Sequence, residues 1–319
     1  MSLPASADWP QNLFGFIKIT SQRWQWGLGA TALSVAALTV VPIELQRRII
    51  NEALEAQDLV QLLWLAGFML AAIIALQAGK FILGVYQNWI SQSVIFATRH
   101  QLIDQFGAEY EDEGEGRAVA VISTETDQVG EFVGTGISDL VADGGKLVFA
   151  IGYMLYVEPM VTLVALVFFL PQIVALPFLQ KVLNRLMRQR TDLLRDLSDE
   201  VSQQGAQDSA EQCEDVLGQI FTNRARSRAL KFLIKSGVNL VNSLAPLSVL
   251  VFGGYLYVQG ETTIGTIVAF MSGFERMSGP LRALVSYYRV ASLRNEQYVK
   301  LRQWRQSIEN GDKAQNTGS

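Results

Sequence analysis

The chain has 319 residues, half of them apolar, with a positive mean hydropathy and a net charge of −4. That small acidic balance argues against nucleic acid as a partner. One cysteine, Cys213, excludes an internal disulfide, and neither a metal nor a cofactor is expected.

The clustering of the apolar residues decides the class. A helix needs about 20 residues with few charges to cross a hydrocarbon core of about 30 Å. Residues 1–23 lack the basic start and small-residue cleavage site of a signal peptide. Leu13, Phe14, Phe16, Ile17 and Ile19, followed by Trp24 and Trp26, predict a short interfacial helix there. The uncharged run 24–43 predicts a first crossing, and 59–79 a second, at 59–80. Beyond Lys80 the run 81–98 is again uncharged. A third crossing is expected at 138–157, although Asp143 and Lys146 lie in it. The uncharged runs 159–180 and 236–260 predict crossings at 160–180 and 238–258. The sixth, at 263–285, carries Glu275, Arg276 and Arg282. A soluble helix of such length would show a polar face, and these do not. The expected fold is therefore all-α: six transmembrane helices over 24–305, then a polar tail, 306–319, disordered from Asn310 onward.

The connections alternate in length. Those at Glu158-Pro159 and 259–263 are turns, whereas 81–137 and 181–237 are long. The second long connection holds Lys181, Arg185, Arg188, Arg190 and Arg195, then Arg224, Arg226, Arg228, Lys231 and Lys235. Basic residues collect on the cytoplasmic side, which predicts that both long connections and both termini face the cytoplasm. Only Arg47 and Arg48 dissent. Leu183, Leu186, Met187, Leu193, Leu194, Leu197 and Val201 recur at helical spacing. A membrane helix that simply continues for about 25 residues would reach roughly 38 Å into the cytoplasm. The 81–137 connection is broken by the acidic, glycine-containing stretch 111–116. No internal repeat marks a fused pair of halves.

This pattern is similar to the transmembrane domain of ATP-binding-cassette (ABC) exporters. Pro42-Ile43-Glu44-Leu45 matches the end of that family's first crossing. The segment 116–129, glycine-led and reaching Asp127-Gln128-Val129, resembles the one that follows the family's first coupling helix. Ser209-Ala210-Glu211-Gln212, then Val216-Leu217-Gly218-Gln219-Ile220, resembles the second coupling region, and 263–270 with Gly279-Pro280-Leu281-Arg282 the sixth crossing. The resemblance spans residues 10–305 and implies a permease half that dimerises with itself or a related chain. It further implies coupling helices that seat on nucleotide-binding ATPase subunits. The chain stops about where an ATPase domain would begin in most exporters. It contains no G-x-x-x-x-G-K-[ST] loop, since Gly145-Lys146 lacks the leading glycine, and no LSGGQ-like signature. The lone His100 lies outside any position for an ATPase switch. No enzymatic activity is expected of this polypeptide, and ATP hydrolysis is assigned to a partner chain.

Two sets of candidate residues follow. Tyr110, Glu111, Asp112, Glu113 and Glu115 at one tip, with Ser209, Glu211 and Gln212 at the other, are candidates for coupling to the ATPase; the plain alternative is a solvated acidic turn. Ionisable groups inside crossings are costly and often functional. Asp139 and Asp143 lie four apart on one helix face, and Lys146 can pair with Asp143. With Glu275 and Arg276 they form a candidate cavity or proton site, against the plain reading of structural pairing. Aromatics in the spans, among them Trp64, Phe68, Tyr86, Trp89, Phe149 and Tyr153, read as packing or interfacial anchors before pathway walls. Gly130 and Gly134 form a small-xxx-small pair.

The leading expectation is a multi-pass permease in the cell inner (plasma) membrane, alternating between inward- and outward-open states under a separate ATPase. A proton-coupled transporter of the same fold, or a membrane scaffold that transports nothing, are the alternatives. The substrate and the direction of transport stay open.

Overall fold

The structure, a computed structural model, describes residues 9–106, 121–203 and 210–316. Every element in them is helical: α1 (Leu13–Leu38), α2 (Val41–Arg48), α3 (Leu59–Phe106), α4 (Thr126–Val157), α5 (Pro159–Gln203), α6 (Ala210–Val258) and α7 (Ile264–Asn316). Single π-helical segments, Ile49–Leu54 and Val121–Glu125, follow α2 and precede α4.

The breaks have local causes. Helix α1 ends in tight backbone bonds from Thr39 and Val40 to Ala36 and Ala37, and Pro42 sits in the first turn of α2, where its missing N–H costs nothing. The first crossing thus contains a break at 39–40, inside the predicted 24–43. Gln57, at φ 53°, turns the chain into α3, and Asp58 caps α3 by accepting the N–H groups of Val60 and Gln61 at 2.9 and 3.1 Å. Gly260, at φ 78°, makes the turn between α6 and α7, a conformation that favours glycine. Thr263 caps α7 through the N–H of Thr266.

Among the described residues, four helical stretches are long and apolar enough to cross a membrane: Leu13–Leu54, Leu59–Ile103, Ser123–Val157 and Glu214–Val258. Helices α5 and α7 begin at the other two predicted crossings. The apolar window of α3 is only 6% buried. Its outward face carries Leu63, Trp64, Phe68, Leu70, Ile74, Phe81 and Ile82, so Trp64 and Phe68 point away from the protein interior. Helices α3, α5, α6 and α7 each run past the length of a crossing, as the continuous legs require.

The chain forms two compact units. One comprises residues 1–153 and 279–319, the other 154–278. In the first, α1 and α2 pack along α3, and the core joins Leu28, Ala32, Ile90, Val94, Val133 and Leu301. The predicted interfacial helix is not separate. It is the first part of α1; Leu13, Phe16 and Ile17 are buried while Phe14 and Ile19 are exposed, and Phe16 packs 5.1 Å from the ring of Tyr298, which stacks on Trp9. The Tyr298 hydroxyl donates to the Pro10 carbonyl at 2.8 Å, and the Asn295 side chain accepts the Leu13 N–H at 2.9 Å. Burial pushes the Tyr298 phenol above its usual range. At its far end α7 stays helical to Asn316, past the Asn310 start expected of a disordered tail; its Lys, Ala and Gln residues are good helix formers. In the second unit α5 packs along α6 for most of their length.

Small residues let α3 and α4 approach. A Cβ on Gly130 would collide with Ile95, and one on Gly134 with the Ser91 side chain and the Gln87 carbonyl, as the small-xxx-small pair predicts. Gly29, by contrast, has nothing within 4 Å of a Cβ. Gly134→Ala is therefore expected to cost about 1–3 kcal/mol through overpacking. Gly29→Ala should be neutral or gain up to about 1 kcal/mol of helix propensity. Thermal melting of the two variants in detergent, with shifts of opposite sign, checks the pair.

Candidate functional site

Helix α4 carries the intramembrane charges on one face. Asp143 and Lys146 form the expected pair, with Nζ to Oδ1 at 2.7 Å, so those two charges offset each other within one turn. Asp139 is different. Its carboxylate is exposed and accepts the Gln87 side-chain amide of α3 at 2.8 Å. The same amide reaches the Ser138 hydroxyl at 2.7 Å. Among the described residues Asp139 makes no ion pair.

Asp139 and Asp143 open onto a cleft of about 200 Å³ between α4 and the part of α7 around residues 283–290. Phe132 and Thr135 line it from α4, and Tyr287 from α7. The rings of Phe132 and Tyr287 lie 6.1 Å apart. Among the described residues the buried Tyr287 hydroxyl has no hydrogen-bond partner. Below the cleft, Gln128 of α4 meets Arg294 and Gln297 of α7, tying the two helices together.

Of the expected cavity set, Asp139 and Asp143 share a cleft in the first unit and Lys146 pairs with Asp143; Glu275 and Arg276 belong to the second unit, where both are exposed. Of the coupling candidates, Tyr110, Glu111, Asp112, Glu113, Glu115 and Ser209 lie outside the described residues. Glu211 and Gln212 fall in the first turn of α6. Toward that tip the α5 and α6 legs part around a polar groove of about 690 Å³, lined by Gln189, Asp192, Asp215, Gln219 and Arg226.

The roles of three residues escaped sequence reading. Gln87 lies among Asn88, Ser91, Gln92 and Ser93 in the uncharged run 81–98, so its position alone gave no signal. Tyr287 was not singled out, since nothing in the chain order pairs it with Phe132. The third is Tyr153, whose hydroxyl donates to Glu44 at 2.5 Å. Glu44 also holds Arg47 and Arg48, at 2.8 and 2.6 Å. The two dissenting arginines are thus locally ion-paired.

At the short-connection end of the second unit, burial and the nearby charge of Glu261 push the Glu158 carboxyl above its ordinary value of 4.5. A carboxyl raised on folding contributes stability that is fully present below 4.5 and is lost as pH rises through the raised value. The melting temperature of the wild type should therefore fall across that window more than that of Glu158→Gln. Parallel melting curves of the two proteins from pH 4 to 7 check this.

A family model of the ABC transporter transmembrane region matches residues 27–207, more than half of the chain. The chain is 24% identical over 216 residues to YgaD of Bacillus subtilis (strain 168), named as a candidate multidrug export ATP-binding/permease protein; the match covers 63% of this chain and 37% of that one. Proteins of the same designation from Staphylococcus aureus strains NCTC 8325 and COL are 25% identical over 219 residues, with the same coverage. The chain spans little more than a third of the length of these relatives.

Proposed function

The chain belongs to the family of ABC transporter transmembrane regions, and we propose that it is the permease subunit of an exporter driven by separate ATPase chains. The observation that carries this reading is the family match over helices whose legs extend well past their apolar stretches. Such legs suit a device that passes force between a membrane pathway and a cytoplasmic motor. In this reading α5 and α7 join the four apolar spans to give six crossings. Two copies, or one copy with a related chain, make twelve. The basic residues of 181–237 and of α7 beyond Arg289 support cytoplasmic termini in the inner membrane. The names of the relatives support outward transport. Partner binding drives the cycle only by favouring one conformation over the other. These 319 residues hold no phosphate-binding loop, so nucleotide chemistry is assigned to a domain outside them.

The proton-coupled alternative draws less support. Asp143, one of its two carriers, is tied to Lys146.

Purification of the tagged chain from native membranes in mild detergent, followed by identification of bound polypeptides, tests the proposal. An ATPase chain with a phosphate-binding loop should co-purify, and reconstituted transport should stop without ATP. Recovery of the chain alone, with transport persisting after ATP depletion, would overturn it.

A further inference from the structure

We propose that the tip of the α2–α3 hairpin is a hinged flap, and that the hydrogen bond from Tyr153 to Glu44 is the latch that holds it against α4. The latch rests on the exporter reading only for the use to which its opening is put.

The tip has little else to hold it. Of residues 41–64, Pro42, Ile43 and Ala53 alone are buried. Leu54, Leu59, Val60, Leu63 and Trp64 are all more than half exposed. Helix α2 and the π-helical segment pack along α3, and the Gln61 amide reaches the Glu52 carboxylate at 3.4 Å, so the tip moves as one piece. Its joint to α1 is weak. At the break the Thr39 and Val40 N–H groups bond three residues back, to Ala36 and Ala37, and Pro42 has no N–H to give. Helical turns of the π type, such as Ile49–Leu54, are frequent at functional sites. Segments with so few buried contacts open at low free energy.

Against so few contacts one charged hydrogen bond decides the closed fraction. Tyr153 lies four residues before the end of α4, about 6 Å along the helix. It donates to Glu44 at 2.5 Å, within the range of a charge-assisted bond. Glu44 also accepts from Arg47 at 2.8 Å and from Arg48 at 2.6 Å, three and four residues on. Those partners belong to the tip and travel with it. Release from Tyr153 therefore leaves the carboxylate paired and strands no charge. An ion pair split between α2 and α4 would cost far more to part. The charge balance closes within α2, and the neutral hydroxyl is the group that can let go.

Thiol labelling of the purified full chain in lipid nanodiscs, without nucleotide, tests the latch. Ala150 and Ala142 of α4 are each 5% exposed. Ala150 lies about one turn from Tyr153, and Ala142 about 12 Å further along the helix. Ala150→Cys and Ala142→Cys, each in a Cys213→Ser background, are treated with a charged methanethiosulfonate reagent, whose rate reports the open fraction. Tyr153→Phe should speed labelling at 150 about tenfold, as loss of a hydrogen bond to a charged group implies, and leave labelling at 142 unchanged. Arg48→Gln keeps both the Tyr153 bond and Arg47, and should change labelling at 150 by less than about twofold. Equal labelling at 150 with and without the hydroxyl would overturn the latch. A rise at 142 matching that at 150 would also overturn it, since that marks general loosening. So would a rise with Arg48→Gln as large as that with Tyr153→Phe, which puts the hold in the ion pair. No ATPase and no substrate enter the measurement, so its failure and the failure of the exporter reading are distinguishable.

Discussion

The outward face of α3 has to be covered by something other than water. Leu63, Trp64, Phe68, Leu70, Ile74, Phe81, Ile82, Val85, Trp89 and Phe96 are all exposed on one helix. At roughly 1 kcal/mol for each half-exposed side chain of this size, covering that face would gain about 10 kcal/mol that water leaves unrealised. An ordinary domain has about 5–15 kcal/mol of stability in total. Hydrocarbon provides that cover, and it also dictates the rest of the architecture. Backbone groups in lipid must be satisfied within the chain, so every described element is a helix.

Once lipid is the solvent, apolar contact no longer drives helices together, and other contacts have to. In the first unit these are visible. Gly130 and Gly134 let α3 and α4 come close, and Gln87 and Ser91 of α3 bond to Ser138, Asp139 and the Glu131 carbonyl of α4. The Gln25 amide of α1 reaches the Val133 carbonyl at 2.7 Å. Buried hydroxyls of Thr20, Ser21 and Ser138 bond back to their own helix. Outside the apolar stretches the contacts change character. The aromatic group of Trp9, Phe16 and Tyr298, with the Arg305 guanidinium 4.7 Å above the Trp9 ring, is an ordinary buried core. It fastens the start of α1 to the far part of α7. This places the cleft at Asp139 between helices anchored on either side of it by Gln87 and by the Gln128–Arg294 contact.

The all-helical fold, the long legs and the short turns were legible because hydropathy and charge are summed over many residues. Uncharged runs such as 59–79 and 236–260 leave few alternatives. The Asp143–Lys146 pair was legible because i,i+3 geometry is local, and the close approach at Gly134 because small residues four apart mark one face. The cleft itself was not. Its two walls are separated by some 150 positions, and which faces of α4 and α7 converge depends on packing that no local period encodes. Glu275 and Arg276 were grouped with Asp139 on chemistry alone, and they fall in the second unit. The helix expected near Leu13 was legible in its apolar residues; that Tyr298 packs on Phe16 was not, because an apolar side chain reads the same whether lipid or protein covers it.

The most direct measurement concerns the solvent of α3. Single nitroxide labels at Phe68, Ile74 and Glu55, in a Cys213→Ser background in liposomes, can be challenged with oxygen and with a water-soluble nickel chelate. Labels at 68 and 74 should collide with oxygen and be shielded from nickel, while the label at 55, in the turn before α3, should show the reverse. Nickel access at 74 equal to that at 55 would contradict the bilayer as the medium in which this helix folds.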